Sequence, residues 1–98
     1  MTILTKPAQA GTLESGDVVV TVAPAEPGSG IEIGIESLVL LQYGESIRRT
    51  VLAVVEHYGV VDAALKVVDR GALEYALIAR TKAALERAGL VGEVAGDA

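Results

Sequence analysis

Few side chains in this sequence are suited to catalysis. The 98-residue chain contains no cysteine and one histidine, His57. A thiolate nucleophile, a disulfide or a Cys-type zinc site needs cysteine, and a histidine-rich metal site needs several imidazoles. These absences exclude most nucleophilic and metal chemistry and leave serine and carboxylate side chains as the candidates for a functional site.

The segment from Gly11 to Asp17 is the main candidate site. It reads Gly-Thr-Leu-Glu-Ser-Gly-Asp and precedes a β-branched run. The ordinary interpretation is a turn, because glycine accepts positive φ and Ser and Asp bond to local backbone. A second interpretation is covalent modification of Ser15. Gly16 would let a modifying enzyme close over the backbone, and Glu14 and Asp17 flank the serine as candidate ligands for a metal or a cationic side chain of that enzyme.

Other chemical candidates have ordinary explanations. His57 lies beside the apolar face of a predicted helix, and no spacing supplies it with a nucleophile or an orienting acceptor. The acidic residues form no calcium loop, and Gly28-Ser29-Gly30 precedes a strand and lacks the lysine of a phosphate-binding loop. We therefore predict no catalytic residue and no metal site. A hydrolase that uses Ser15 and His57 is a further alternative.

Two strands are predicted directly after the candidate site. Val18–Val22 is rich in β-branched residues, and Ile31–Glu36 alternates apolar and polar residues with a period of two. Because the two strands are close in sequence, we expect them to pair as an antiparallel hairpin.

The second half of the chain is predicted to form two helices and a strand. Apolar positions recur with helical spacing at Ile47, Val51, Val54, Val55 and Tyr58, between start signals at Gly44 and Glu45 and a stop at Gly59. Val61–Val68 alternates again and predicts a third strand. The last predicted helix is Ala72–Ala88, with Asp69 as its N-cap and Gly89 as its stop.

These elements predict an α+β fold. It is a single two-layer domain of approximately β-β-α-β-α order, with a small sheet packed against two helices. We expect residues 1–10 to be a loosely held leader, residues 11–89 to be the folded domain and residues 90–98 to be a frayed acidic tail. The net charge of −5 argues against nucleic-acid binding, and no apolar run reaches the ~20 residues of a membrane span. A cytoplasmic protein is the default expectation.

Four segments of the chain resemble segments of one known family: Ala10–Val18, Tyr43–Arg48, Asp69–Leu73 and Ala79–Arg80. The first is similar to the N-terminal signature of the acyl carrier (gamma) subunit of bacterial citrate lyase, and the others are similar to later segments of that family in the same order. The resemblance extends from about Ala8 to Ala88, and it implies that residues 11–89 are an acyl carrier domain.

The resemblance implies a role for Ser15 that the residues alone leave open. The serine would bear a 2'-(5''-phosphoribosyl)-3'-dephospho-CoA arm through a phosphodiester, with Glu14, Gly16 and Asp17 flanking it. A prosthetic-group transferase would attach the arm. Its thiol would carry acetyl and citryl groups between the transferase (alpha) and lyase (beta) subunits during cleavage of citrate to acetate and oxaloacetate. The chain would then be no enzyme on its own.

Alternatives to this role remain. The carriers of citramalate lyase and malonate decarboxylase are related, and Thr12-Leu13-Glu14 favours the citrate or citramalate lyase type. An unmodified assembly subunit would also lack a catalytic set. Arg48, Arg49 and Arg70 are candidate contacts for phosphates of the arm, because arginine binds phosphate oxygens, although surface solubility is the ordinary role for at least two of them.

Overall fold

The computed structural model describes residues 1–92, which form six strands and two helices in one α+β domain. In chain order the elements are β1 (Thr2–Ile3), β2 (Ala8–Gly11), β3 (Val18–Pro24), β4 (Ile31–Ser37), α1 (Leu40–His57), β5 (Ala63–Asp69), α2 (Glu74–Arg87) and β6 (Val91–Gly92). The predicted fold class is confirmed. The differences from the sequence-based expectations concern the number, order and ends of the elements.

The main sheet has the strand order β2-β3-β5-β4. Strand β3 is antiparallel to β2 and to β5, whereas β4 is parallel to β5. The predicted hairpin between Val18–Val22 and Ile31–Glu36 is therefore wrong, because β5 lies between those two strands. Strand β5 is central, so its backbone pairs with β3 on one side and with β4 on the other. Its inward-facing residues Ala63, Leu65 and Val67 are all buried.

The two helices cover one face of the main sheet. The buried residues of α1 are Ile47, Val51, Val54 and Val55, as the helical spacing predicts, and they belong to the same apolar core as the buried valines of β3. Helix α1 lies against β4, and α2 lies against β2 and β3. Helix α1 begins at Leu40, four residues before the predicted start at Gly44. It ends at His57, and Gly59 has the predicted positive φ, +75°. Within residues 1–92, neither helix is long and apolar enough to cross a membrane.

Residues 1–10 are part of the folded domain, which corrects the expectation of a loosely held leader. Leu4 is only 2% exposed, and Ala10 of β2 is buried against the core. Strand β2 pairs with β3, and β1 pairs with β6. The four residues of β2 lack β-branched side chains, so composition gives no strand signal there. Of the predicted frayed tail, Val91–Gly92 is the strand β6, and residues 93–98 lie outside the described residues.

Asp69 is not the N-cap of the second helix, which corrects another expectation. Helix α2 begins at Glu74, and the preceding Leu73 provides no side-chain cap. The Asp69 carboxylate instead accepts a hydrogen bond from the Ala72 amide at 2.9 Å and one from the Ser37 hydroxyl at 2.9 Å. Because Ser37 ends β4, this buried carboxylate joins the ends of β4 and β5.

Three connections therefore meet at one end of the sheet. Val18, the first residue of β3, pairs with Asp69, and Ser37 pairs with Asp69 from the other side. The loop of residues 12–17, the turn before α1 and the turn before α2 all leave the sheet at this end. The topology thus brings the candidate serine and the beginnings of both helices to the same end of the molecule.

Candidate functional site

Ser15 lies at the tip of the β2–β3 hairpin loop and is exposed. The Asp17 amide donates a hydrogen bond to the Glu14 carbonyl at 3.0 Å, which closes a tight turn around Ser15 and Gly16. Gly16 has a φ of +85°, and a Cβ built on it would meet no atom within 4 Å. The backbone conformation thus favours glycine after the serine, and the space on the side-chain side of Gly16 is open.

The turn is held against the end of β5 by two backbone hydrogen bonds. The Gly16 amide donates to the Arg70 carbonyl at 2.7 Å, and the Arg70 amide donates to the Asp17 carbonyl at 2.9 Å. These bonds lie on the C-terminal side of Ser15 and continue the β3–β5 ladder into the loop. The exposed serine therefore sits on a fixed support.

The Asp17 carboxylate supports the turn from inside the hairpin. It accepts two hydrogen bonds from Arg80, from Nε at 3.1 Å and from Nη2 at 2.8 Å. The Thr12 hydroxyl and the Val18 amide each donate to it at 2.7 Å. The bonds from Arg80, then those from Thr12 and Val18, hold the pKa of Asp17 well below its usual range. Asp17 is thus a positioning residue for Ser15.

Arg80 supports the turn through Asp17, a connection that the sequence did not predict. It lies on α2, 63 residues after its partner Asp17. Neither composition nor periodicity relates residues at that separation, and the only signal was the family-like Ala79-Arg80 pair. The planar guanidinium binds the carboxylate through two parallel hydrogen bonds, which fixes α2 relative to the hairpin loop.

Asp17→Asn should destabilise the fold in a pH-dependent manner. The amide cannot form the ion pair with Arg80. Because the folded-state pKa of Asp17 is lowered, the contribution of the carboxylate is complete above the ordinary pKa of about 4 and is lost as the pH falls through the folded-state pKa. We expect the urea midpoint of the variant to lie below that of the wild type at neutral pH, and the gap to narrow below about pH 4.

Urea denaturation of both proteins between neutral pH and about pH 2 measures this effect. Glu14→Gln is the matched control, because it removes an exposed carboxylate of the same turn. The midpoint of that variant should stay close to the wild-type value throughout. A constant gap between Asp17→Asn and the wild type across the whole pH range would contradict the assignment.

His57 is far from Ser15. Helix α1 begins at the end of the sheet that holds the serine and runs away from it for 18 residues, about 27 Å, so that His57 lies at the opposite end. Its side chain is exposed, which agrees with the surface role predicted for it. This separation argues against a Ser15–His57 hydrolase. Residues 1–92 also contain no group of three His, Cys, Asp or Glu side chains that could hold a metal.

Large apolar side chains are exposed at the same end of the molecule as the serine. They come from the hairpin loop, from the beginning of α1 and from the beginning of α2, and we call them the apolar rim: Leu13, Leu38, Leu40, Leu41, Tyr43, Leu73 and Tyr75. The side chain of Leu41 is fully exposed and that of Leu38 is 78% exposed. A cavity of about 410 Å³ opens between the beginnings of the two helices and includes Tyr43 and Leu73 in its lining. Clustered exposed apolar groups mark interaction surfaces.

The fold is a small α+β domain that presents the exposed Ser15 on a supported turn at one end, an arrangement suited to a carrier. Comparison with known proteins identifies the family. The family model described as ACP, malonate decarboxylase delta subunit (MdcD), matches residues 5–88.

Three curated relatives are named citrate lyase acyl carrier protein. That of Fusobacterium nucleatum subsp. nucleatum is 58% identical over 79 residues, covering 81% of this chain and 83% of the relative. Those of Serratia proteamaculans and Halothermothrix orenii are 51% and 43% identical over 81 residues each, covering 83% of this chain and 78% and 84% of the relatives. This chain belongs to the same family of acyl carrier proteins, and its role is that of a carrier subunit that is no enzyme on its own.

A solved structure supports the fold assignment. One chain of a Pseudomonas malonate decarboxylase hetero-tetramer in complex with malonate matches with a TM-score of 0.70 over 91% of this chain and 95% of that chain. The sequence identity is 18%, so this similarity shows the fold alone. The two-layer arrangement is therefore one already seen in a protein that assembles with other subunits.

Proposed function

We propose that this chain is the covalent acyl carrier of a citrate lyase complex and that Ser15 is its attachment residue. The observation that carries the proposal is the exposed Ser15 on a turn held by backbone hydrogen bonds to Arg70, in a chain up to 58% identical to citrate lyase acyl carrier proteins. The attached group is 2'-(5''-phosphoribosyl)-3'-dephospho-CoA, joined through a phosphodiester. The acyl carrier domain comprises the predicted residues 11–89 together with residues 1–10, which belong to the same fold, and its place of action is the cytoplasm.

The residues around Ser15 fit such a group. The serine hydroxyl forms no hydrogen bond with other residues of the described chain, and the space beside Gly16 is open. Asp17 is paired with Arg80, so its negative charge is offset next to an incoming phosphate. The Arg70 backbone is hydrogen-bonded to the turn, and the Nε atom of its side chain is buried without a hydrogen-bond partner in residues 1–92. These features favour a phosphate-linked substituent on Ser15.

The protein chain positions the attached arm, and the thiol of the arm is the reactive group. When attached, the arm supplies the thiol that carries acetyl and citryl groups between the transferase (alpha) and lyase (beta) subunits. The protein anchors the base of the arm through the bonds from Gly16 and Asp17 to Arg70, which confines the thiol to a small volume and raises its effective concentration at both active sites. No side chain of the carrier has to take part in bond making.

The apolar rim supports docking by this end of the molecule. The arm leaves from Ser15, so any subunit that receives it approaches the end that also exposes Leu38, Leu41 and Leu73. Burial of these side chains against an apolar active-site mouth would favour association. The same argument applies to the prosthetic-group transferase, which must also reach Ser15. Nucleic acid and membrane are not partners in this proposal.

A malonate-derived acyl group is a second candidate for the group that this carrier bears. The family model and the solved structure both carry the name of malonate decarboxylase. The 18% identity to that structure is well below the 43–58% identity to the citrate lyase carriers, which favours citrate. Citramalate lyase uses the same type of carrier, so the partner subunits decide between citrate and citramalate.

Intact-mass spectrometry of the chain purified from its native host tests the proposal. We expect a mass increase equal to the phosphoribosyl dephospho-CoA arm, located by peptide mapping on the peptide that contains Ser15. A smaller increase equal to phosphopantetheine would contradict the chemistry of the arm. Protein that carries no added mass while the host cleaves citrate through this complex would contradict the proposal as a whole.

A further inference from the structure

Arg70 lies beside the proposed attachment turn. It is the first residue after β5, and its backbone carbonyl and amide bond to Gly16 and Asp17, respectively. These bonds place the Arg70 backbone against the two residues that follow Ser15. The Arg70 side chain therefore begins next to the position where a substituent on Ser15 would begin.

Two other arginines already have partners. Arg80 forms both of its hydrogen bonds with the Asp17 carboxylate, and Arg87 donates from Nη1 to the Gln9 carbonyl at 3.0 Å. Removing Arg80 from that pair would leave the carboxylate of Asp17 uncompensated beside the turn. The charge of Arg80 is therefore already offset by Asp17.

The remaining arginines differ in their positions. Arg48 and Arg49 lie on exposed positions of α1, past its first two turns. Arg70 is partly buried, and its Nε atom is withdrawn from solvent without a hydrogen-bond partner in residues 1–92. The Nη atoms of Arg70 form no hydrogen bond within residues 1–92 and are not buried, so an external acceptor can reach the guanidinium there. Of the three arginines that the sequence offers as phosphate contacts, the structure favours Arg70.

We propose that the Arg70 guanidinium binds the phosphate that joins the arm to Ser15, an inference that rests on the proposed function. A phosphodiester carries one negative charge and presents two free oxygens, which a planar guanidinium can bind through parallel N–H donors. A Cβ built on Gly16 would meet no atom within 4 Å, and Arg80 already offsets the charge of Asp17. The exposed Glu14 carboxylate would repel the phosphate, and Arg70 counteracts that repulsion.

The consequence is a fixed direction for the arm. A phosphate attached only through Ser15 would rotate freely about the serine side chain. A second contact from Arg70 restricts this rotation and selects one direction of departure from the turn. Arg70 is thus a positioning residue, and the contact should be visible in the isolated, modified carrier without any partner subunit.

The test compares the carrier before and after attachment of the arm by its prosthetic-group transferase, with loading verified by intact mass. We expect the Nη–H NMR signals of the Arg70 guanidinium to shift downfield on loading and their hydrogen exchange to slow about tenfold. The signal of Arg48 should stay unchanged. An unchanged Arg70 signal in a fully loaded carrier would overturn the inference.

Variants provide a second measurement. In loaded Arg70→Ala the ³¹P signal of the phosphodiester should move to the position seen in the isolated modified peptide, whereas the diphosphate signal of the same arm should not move. Loaded Arg48→Ala, which removes the same charge, should match the wild type. If the two variants give the same phosphodiester signal, the inference is wrong.

The two possible failures are distinguishable. If Arg70→Ala is not loaded, the wild-type comparison alone decides the role of Arg70. If the wild type gains no mass on Ser15 with an active transferase, the proposed function fails and this inference fails with it. A normal mass increase with an unchanged Arg70 signal overturns only the inference.

Discussion

Ser15→Ala should reduce the activity of the reconstituted complex to that of a complex assembled without this subunit. Alanine has no hydroxyl to carry the phosphodiester, so the thiol would be lost from the complex. A tethered group acts at an effective concentration that free solution does not supply, and we expect the rate of citrate cleavage to fall by roughly 10²-fold or more. Intact mass and a citrate-cleavage assay on the same sample measure the cause and the effect together.

The fold should not be affected by this substitution. Ser15 is exposed, and its hydroxyl forms no hydrogen bond within the described part of the chain. The free energy of unfolding of Ser15→Ala, measured in urea, should therefore equal that of the wild type within the few tenths of a kcal/mol typical of surface substitutions. Ser46→Ala is the matched control, because Ser46 is an exposed serine of α1 at which no modification is proposed.

The result separates the two main interpretations of the chain. A carrier loses activity with Ser15→Ala although it still assembles with its partners. An unmodified assembly subunit keeps full activity with the same variant. Full activity of Ser15→Ala, in a complex whose wild-type carrier has no added mass, would replace the carrier interpretation by the assembly one.

Local patterns predicted those parts of the fold that depend on neighbouring residues. The spacing of Ile47, Val51 and Val54 identified the buried face of α1, and the alternation of Ile31–Glu36 identified a strand with exposed glutamates. Both signals arise because a single element faces a single apolar layer. The sequence of such an element therefore indicates which of its faces is buried.

Long-range arrangements were not accessible in the same way. Strand β5 enters the sheet between β3 and β4, although β3 and β4 are neighbours in sequence. Strand β2 is held by its pairing with β3 and not by its own composition. The pairing of Asp17 with Arg80 depends on where α2 packs, which no local period encodes. The sequence predicted the turn at Ser15, but it did not predict the contacts with Arg70 and Arg80 that hold the turn in place.

Gly11→Ala should be among the most destabilising single substitutions in the domain, and it tests how the hairpin is built. Gly11 ends β2 with a φ of +107°, and a Cβ at this position would overlap the Val18 carbonyl oxygen. That oxygen belongs to the backbone at the start of β3, next to the pairing of Gly11 with Val19. It cannot move away without disturbing the sheet.

We expect a loss of roughly 3 kcal/mol or more in the free energy of unfolding, because backbone strain and a steric overlap add. Domains of this kind have about 5–15 kcal/mol in total, so part of the variant should be unfolded under mild conditions. Urea denaturation with circular dichroism measures the loss. A midpoint within experimental error of the wild type would show that the hairpin closes differently.

Two other glycines separate the causes of the expected loss. Gly28 has a φ of +89° but an open surrounding, so Gly28→Ala should show the cost of backbone strain alone, roughly 1–2 kcal/mol. Gly34 lies in β4 without positive φ or a close neighbour, and Gly34→Ala should be neutral or slightly stabilising. If Gly11→Ala costs no more than Gly28→Ala, the overlap with Val18 is relieved by a small backbone shift. The difference between the two variants therefore measures how rigidly the sheet holds the hairpin that carries Ser15.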